Sequence, residues 1–207
     1  MDRASSPSSS LPQQISRRAA LFPLLSLAVS PILSGQSRAQ IYDRPPVFRT
    51  PRFQFTIIQP TTQLPAVTLT DLKGQPARLA PDANKILLVN LWTTWCDACR
   101  IDLPLLERFH QATGGRIQVA AVSAETRDRS YIKTFLDRLA IRSLPIYLDP
   151  DGRLVSTSND SPAALVAYGM PVTYLITPSG QIAGYISGVA DWLSEEAQQL
   201  LTYYANA

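Results

Sequence analysis

The sequence predicts an α/β domain in which a mixed central sheet is flanked by helices. The run KILLVNLW at 85–92 is almost continuously apolar, which is typical of a strand buried on both faces. A helical pattern follows over 96–112, with apolar side chains recurring on one face. Two β-rich runs, 172–176 and 181–187, flank the turn sequence TPSG and predict a hairpin. Strands that alternate with helices and then end in a hairpin favour a sheet with both parallel and antiparallel neighbours.

The segment before the apolar run predicts a short β extension on the N-terminal side of the domain. Residues 53–58 and 67–69 are strand candidates, and QPTT at 59–62 between them is turn-like. The helix over 96–112 is expected to end at the Gly-Gly pair 114–115, because glycine readily adopts the left-handed backbone that stops a helix.

The second half of the chain continues the alternation of strands and helices. We predict a strand over 116–123, a helix over 130–140, a strand over 145–148, a turn or two of helix over 161–167, and a closing helix from Trp192 to about Tyr204. No internal repeat is found, so one domain is the expected count.

Composition excludes two classes of protein. The 207 residues are 45% hydrophobic and 17% charged, which supports a packed core. The formal net charge of +3 comes from residues 1–39, which hold four arginines and one aspartate, whereas residues 40–207 hold 15 basic and 15 acidic residues. A nucleic-acid-binding domain would need a basic folded surface, so that class is not expected. Two cysteines also cannot build a disulfide-rich scaffold.

The first 39 residues are predicted to be a signal peptide of the twin-arginine type. A polar segment ends at Arg17 and Arg18, a short apolar run covers 19–33, and small residues precede a cut after Ala39. A Sec-type signal and an uncleaved membrane anchor remain alternatives. Residues 40–52 are proline-rich and predict an extended arm, and 53–207 form the folded domain. We therefore expect an exported, periplasmic protein.

Both cysteines lie in the pentapeptide Trp95-Cys96-Asp97-Ala98-Cys99, between the apolar strand and the helix. In the chain-entropy model a disulfide across four residues stabilises a fold by only about 2 kcal/mol, against about 3 kcal/mol across fifteen. The pair is therefore a weak staple but suits a bond that opens and closes. The helix start favours a thiolate at Cys96, and Cys99, one turn further on, would resolve the mixed disulfide.

Other cysteine chemistries fit the sequence less well. Haem attachment needs a histidine after the second cysteine, where the chain has Arg100, and His110 is the one histidine available to a zinc site. Thr93 fits a peroxidatic pattern, but Val89 stands where that pattern has proline. A thiol peroxidase and a binding or chaperone module with a static disulfide remain the alternatives to an oxidoreductase. No bound cofactor or metal is expected beside the Cys96–Cys99 pair.

Longer motifs resemble one branch of the thioredoxin-fold proteins. The sequence VNLWTTWC at 89–96 is similar to the NFWATWC of the exported TlpA/ResA-like branch, and Pro104 matches the proline in the first thioredoxin helix. GMPVTYLI at 169–176 resembles the family's G-x-P-T-T-F-L-I. The similarity runs from about residue 53 to 205 and implies a thioredoxin-like fold.

The resemblance also implies roles for individual residues. Pro171 would be a cis proline beside the disulfide, leaving the backbone of Met170 free to pair with an extended substrate. Asn90 stands where thioredoxins carry a buried acid. Trp92 and Trp95 are expected to be half-buried aromatics that shield the cysteines, with a plain core role as the alternative for Trp92.

Three acids are candidates near the cysteines. Asp97 and Asp102 are the nearest carboxylates in the sequence. Asp97 is expected either to relay a proton to Cys96 or to be a solvated residue at the helix start. Glu125 is expected to be a solvated loop acid, with an approach to the site from the end of a strand as the alternative.

The resemblance finally implies what the protein does. It predicts a thiol–disulfide oxidoreductase that acts on protein thiols and disulfides as a reductant, with an oxidant or an isomerase as the alternative. The implied partners are apocytochrome c or a copper-centre protein, with a membrane thiol reductase as the electron donor.

Overall fold

The computed structural model describes residues 44–157 and 163–206. The predicted signal peptide lies outside these residues. The helices are α1 (Asp97–Thr113), α2 (Arg129–Arg138) and α3 (Glu195–Ala205). The strands are β1 (Thr56–Gln63), β2 (Val67–Asp71), β3 (Pro76–Leu79), β4 (Leu87–Trp92), β5 (Gln118–Ser123), β6 (Ile146–Leu148), β7 (Val155–Ser156), β8 (Leu165–Val166), β9 (Val172–Ile176) and β10 (Gln181–Ser187).

Eight of these strands form one mixed sheet in the order β1-β10-β9-β4-β5-β6-β2-β3. The central strands β4, β5 and β6 are parallel, and the outer strands pair antiparallel. The predicted mixed sheet and its N-terminal β extension, formed by β1, β2 and β3, are therefore confirmed. Because β4 lies at the centre, the loop that follows it lies at the middle of the sheet's edge, and that loop carries the cysteines.

The sheet buries both of its faces. All six residues of β4 are buried, and they alternate between two apolar clusters because successive side chains on a strand point to opposite faces. Leu88 and Trp92 pack with the apolar residues of all three helices. Leu87, Val89 and Leu91 face the opposite way, toward a cluster that contains residues of β7 and β8.

The predicted turn at 59–62 is wrong, because β1 continues through it. Ile57 pairs with Gly184 and Thr62 with Ile182, so three more residues on β1 than on β10 are taken up between the two pairs as a bulge. Pro60 fits this position because β1 is an edge strand, where a missing N–H breaks no ladder hydrogen bond.

The predicted helix over 161–167 is also wrong in its described part. Leu165 and Val166 form β8, which pairs in parallel with β7. The Tyr174 hydroxyl, from β9, accepts a hydrogen bond from the Val166 N–H at 3.1 Å and donates one to the Val166 carbonyl at 2.6 Å. These long-range bonds satisfy backbone groups that a helical turn would otherwise pair locally.

The segment before β1, which includes the arm, contributes two aromatic side chains to the core. Phe48 is 2% exposed, with its ring centroid 5.1 Å from that of Trp192. Phe55 packs against Tyr204 of α3 with a centroid distance of 6.1 Å. The described part of the arm, from residue 44, has no regular strand or helix, and an isolated bridge joins Arg49 to Gln54.

Truncating the buried arm residue should measure how strongly the arm is held. We expect Phe48→Ala to lower the free energy of unfolding by about 3–5 kcal/mol, the range for removing a buried phenylalanine ring. Val47→Ala is the matched control, since Val47 is 51% exposed. Urea denaturation of both variants would make this measurement, and equal stabilities would show that the arm is not part of the core.

Candidate active site

The cysteines close a disulfide at the first turn of α1. Cys96 is the N-cap residue, with extended backbone at φ −88° and ψ 110°, and its Sγ accepts a hydrogen bond from the Cys99 N–H at 3.1 Å. The sulfur thus replaces the side-chain oxygen that usually caps a helix. A thiolate at the same position would gain from this donor and from the positive end of the helix dipole.

The two sulfurs differ in how far solvent reaches them. Cys96 is 7% exposed and borders a groove, whereas Cys99 is fully buried behind it. A partner's disulfide can therefore approach Cys96 but not Cys99. An order in which Cys96 attacks the partner and Cys99 resolves would require this difference in access.

A groove of about 860 Å³ opens beside Cys96. One wall is the active-site segment 95–98, which includes the cysteine itself. A second part of the lining is formed by 149–152 and 155–157, and Gly169 with Met170 also lines the groove. The groove is large enough for several residues of a partner chain.

Pro171 lies where the resemblance places it. The Met170–Pro171 bond is cis, and Pro171 is buried. The Pro171 carbonyl accepts a hydrogen bond from the Gly188 N–H at 2.7 Å, which fixes the turn to the end of β10. Met170 is partly buried, lines the groove and packs against the cluster that contains both cysteines.

The tryptophans are not the pair of half-buried shields that the sequence predicts. Trp92 is fully buried and stacks on Phe135 with a centroid distance of 5.7 Å, so the alternative core role is the one observed. Trp95 is 63% exposed and lines the groove directly before Cys96. A flat apolar surface is thus presented beside the reachable sulfur.

Asp97 is a solvated carboxylate at the helix start. Its side chain is 95% exposed, and one oxygen lies 3.8 Å from Nε of Arg100. It also lines the groove, so it faces an approaching partner.

Asp102 is the buried acid of this site. It lies one turn after Cys99 on the same face of α1, and both residues are fully buried. Burial raises the pKa of Asp102 from its ordinary 3.8 to about 7, although hydrogen bonds from the Ala190 N–H and the Asn90 side chain lower it. Such a group can change protonation near neutral pH.

Asn90 and Asp102 form a buried pair across the β4–α1 junction. Asn90 Nδ2 donates to Asp102 Oδ2 at 2.8 Å and to Thr173 Oγ1 at 2.9 Å, while Asn90 Oδ1 has no partner among the described residues. A rotation of the amide by half a turn would place that oxygen toward Asp102, where a protonated carboxyl can donate to it. The pair therefore accommodates both protonation states of the acid.

Asp102 was predicted from the sequence as a carboxylate near the cysteines, but the role of proton relay was given to Asp97 on the same helix. Two signals pointed to the buried residue. It follows Cys99 by three positions, which places both on one helix face, and Asn90 leaves the usual strand position without an acid.

Glu125 corrects the prediction of a solvated loop acid. It is 8% exposed and lies just after β5. Its Oε1 accepts from the Thr94 N–H at 2.8 Å, and its Oε2 accepts from the Thr94 hydroxyl at 2.9 Å. The carboxylate therefore holds the loop that leads into Cys96.

The described residues contain no cluster of three or more histidine, cysteine, aspartate or glutamate side chains that could hold a metal ion. Nor does any helix in 44–157 or 163–206 have the length and hydropathy needed to cross a membrane.

Comparison with known proteins extends these observations. The model of the AhpC/TSA family matches residues 60–185, which is more than half of the chain. The chain belongs to the AhpC/TSA family. Among the relatives of this chain, the thiol:disulfide interchange protein DsbE of Pseudomonas aeruginosa is 35% identical over 150 residues, which cover 69% of this chain and 72% of that one. The thiol-disulfide oxidoreductase ResA of Geobacillus kaustophilus is 27% identical over 125 residues, covering 60% and 67%.

Two solved structures show the same fold as this chain. A DsbF homologue from Corynebacterium diphtheriae has a TM-score of 0.54 at 19% identity and covers 79% of this chain and 100% of its own. A secreted thiol-disulfide isomerase from Corynebacterium glutamicum has a TM-score of 0.56 at 20% identity, covering 77% and 97%. The predicted thioredoxin-like fold is confirmed, and the protein is a thiol–disulfide oxidoreductase of the ResA/DsbE type with a Cys-x-x-Cys disulfide.

Proposed function

We propose that the protein reduces disulfides of partner proteins through Cys96 and Cys99. The observation that carries this proposal is the pair's arrangement, with one sulfur at the groove and the other buried behind it. The Cys96 thiolate attacks one sulfur of the partner disulfide, and the other partner sulfur leaves as a thiolate. Cys99 then attacks Cys96, which closes the Cys96–Cys99 disulfide and frees the partner dithiol. Two electrons pass from this protein to the partner.

Asp102 serves the second step as a proton acceptor. Cys99 must lose its proton before it can attack, and the nearby buried carboxylate can take that proton because its pKa is raised to about 7. Asn90 then turns its amide oxygen toward the protonated acid. Asp97 is exposed at the groove and is not part of this proton transfer.

The groove residues hold the partner chain near Cys96. Met170 precedes a proline and lines the groove, so its backbone is available to an extended partner segment. Trp95 offers an exposed aromatic face for an apolar side chain of the partner. Pro171 holds this segment against the end of β10.

The proposal also covers the location of the protein and its partners. We place the protein in the periplasm after export, with its signal cut after Ala39. The partners are cysteine pairs of apocytochrome c or of a copper-centre protein, and a membrane thiol reductase returns the electrons. The secreted isomerase named above supports an exported location, and the similarity to DsbE and ResA supports protein thiols as partners.

The midpoint potential tests the direction of electron flow. The full-length chain would be equilibrated in dithiol–disulfide buffers, and its free thiols counted by alkylation. A reductant should give a midpoint near or below about −270 mV, as thioredoxin does. A midpoint near about −120 mV would make the protein an oxidant, and a pair that never opens would refute exchange altogether.

A further inference from the structure

Two buried carboxylates lie at the carboxyl ends of neighbouring parallel strands. Glu125 follows β5 and Asp149 follows β6, and their exposed fractions are 8% and 3%. The two strand ends are joined directly, because the Asp149 N–H donates to the Ser123 carbonyl at 2.9 Å. Each carboxylate accepts hydrogen bonds from a different loop that borders the groove.

Glu125 holds the wall that carries the reactive cysteine. Both of its oxygens are used on Thr94, two residues before Cys96, and Oε1 also lies 3.4 Å from the Ser123 hydroxyl. Nη2 of Arg100 lies 3.5 Å from the Thr94 carbonyl, so the same residue is restrained on its other side. The carboxylate thereby fixes the backbone that places Cys96 at the helix N-cap.

Asp149 lines the groove itself and holds the segment 153–155, which leads into a second part of its wall. Its Oδ1 accepts from the Arg153 N–H at 2.8 Å, and its Oδ2 accepts from the N–H groups of Leu154 and Val155 at 3.0 and 2.9 Å. Val155 lines the groove, and its backbone pairs with β8. None of these bonds reaches the cysteine loop.

We propose that Glu125 and Asp149 are positioning residues that set two parts of the groove wall separately. Glu125 acts through Thr94 on the placement of Cys96, so it affects exchange with any disulfide. Asp149 acts through residues 153–155 on the shape of the partner-facing wall, so it affects only disulfides that occupy the groove. This inference rests on the proposed exchange at Cys96.

Two disulfides of different size separate the two roles. The reduced protein would be mixed with bis(2-hydroxyethyl) disulfide, which is too small to span the groove, and with an eight-residue peptide that carries a disulfide. Glu125→Ala should lower the second-order rate constant with both about tenfold, because a displaced nucleophile is slow toward every substrate. Asp149→Ala should lower the rate constant with the peptide about tenfold and change that with the small disulfide less than about twofold.

A third buried carboxylate supplies the control for a general loss of stability. Glu107 is 6% exposed and accepts from the backbone N–H groups of residues 142–144, but it does not line the groove. Glu107→Ala should leave both rate constants within about twofold of the unmodified protein. Glu125→Gln should recover most of the loss, since its amide oxygen can still accept from the Thr94 N–H.

Three results would overturn the proposal. These are equal losses on both disulfides for Asp149→Ala, a loss on the peptide alone for Glu125→Ala, and losses for Glu107→Ala that match the other two. If the unmodified protein reacts with neither disulfide, the proposed function fails and this inference falls with it. If it reacts with both but the variants show no split, only the positioning roles are refuted.

Discussion

Replacing Cys99 with serine is expected to stop the reaction at the mixed disulfide. Cys96 remains able to attack a partner, but no second thiol is present to release it, so the covalent complex accumulates. In the oxidised protein Cys99 is fully buried, and its only disulfide partner is Cys96. Non-reducing electrophoresis after mixing with a disulfide-containing protein should show a new band, and mass spectrometry should place the link at Cys96.

Cys96→Ser is the matched variant. It should form no mixed disulfide and lose essentially all exchange, because the remaining thiol is buried behind the groove wall. A trapped complex in this variant instead would reverse the roles of the two cysteines. Full turnover in Cys99→Ser would show that the partner's own thiol resolves the complex.

Replacing Asp102 with asparagine is expected to remove a pH dependence from both stability and exchange. The pKa of Asp102 is about 7 in the folded protein, against an ordinary 3.8. Between these values the folded state binds more protons than the unfolded state, so stability falls as pH rises from about 4 to about 7 and is then constant. Three pKa units correspond to about 4 kcal/mol, since one unit is 1.36 kcal/mol.

Urea unfolding at pH 4.5 and pH 8 measures this effect. At pH 8 the unmodified protein should be less stable than Asp102→Asn. The variant should also lose most of the difference in free energy of unfolding between the two pH values. The amide can also keep the local hydrogen bonds, because Asn90 has a spare acceptor oxygen. A variant that is less stable than the unmodified protein at pH 8 would contradict a raised pKa.

The rate of exchange at pH 8 should fall in Asp102→Asn, whereas the stability of this variant at pH 8 should rise. Without the carboxylate, the release of partner by Cys99 should slow by about 10- to 100-fold at pH 8, within the range for loss of a general base, and the break in the pH profile near 7 should vanish. Asp97→Asn is the control, since it removes a carboxylate from the same helix that is 95% exposed. An equal loss in both variants would show that net charge at the helix start, and not the buried acid, controls the rate.

The sequence predicted the parts of the fold that are set by local pattern. The strands at 172–176 and 181–187 have the predicted bounds, and α1 begins within one residue of its prediction. The missed elements, β3 and the β7–β8 pair, are two to four residues long. Such short strands have little pattern of their own, and long-range backbone pairing and the Tyr174 hydroxyl define them.

The active-site residues also divide into those that a local sequence pattern predicts and those that it does not. The cysteine pair was predicted because its spacing and its helix are local. The environments of Glu125 and Asp102 were not, because each depends on a partner far along the chain. Glu125 is buried by its bonds to Thr94, 31 positions away, and Asp102 by its bond to Ala190, 88 positions away.

The two outer strands of the sheet both carry residues that oppose pairing with an unpaired strand of another chain. The outer strand β1 carries Pro60 in a bulge, and β3 begins with Pro76 and exposes Arg78. A proline has no N–H to donate, and a cation on an edge strand opposes stacking of another chain. A client with unpaired strands therefore cannot extend this sheet easily from either side. In the proposed exchange the groove at Cys96 is then left as the place of contact, and neither edge of the sheet is a ready template for strands of another chain.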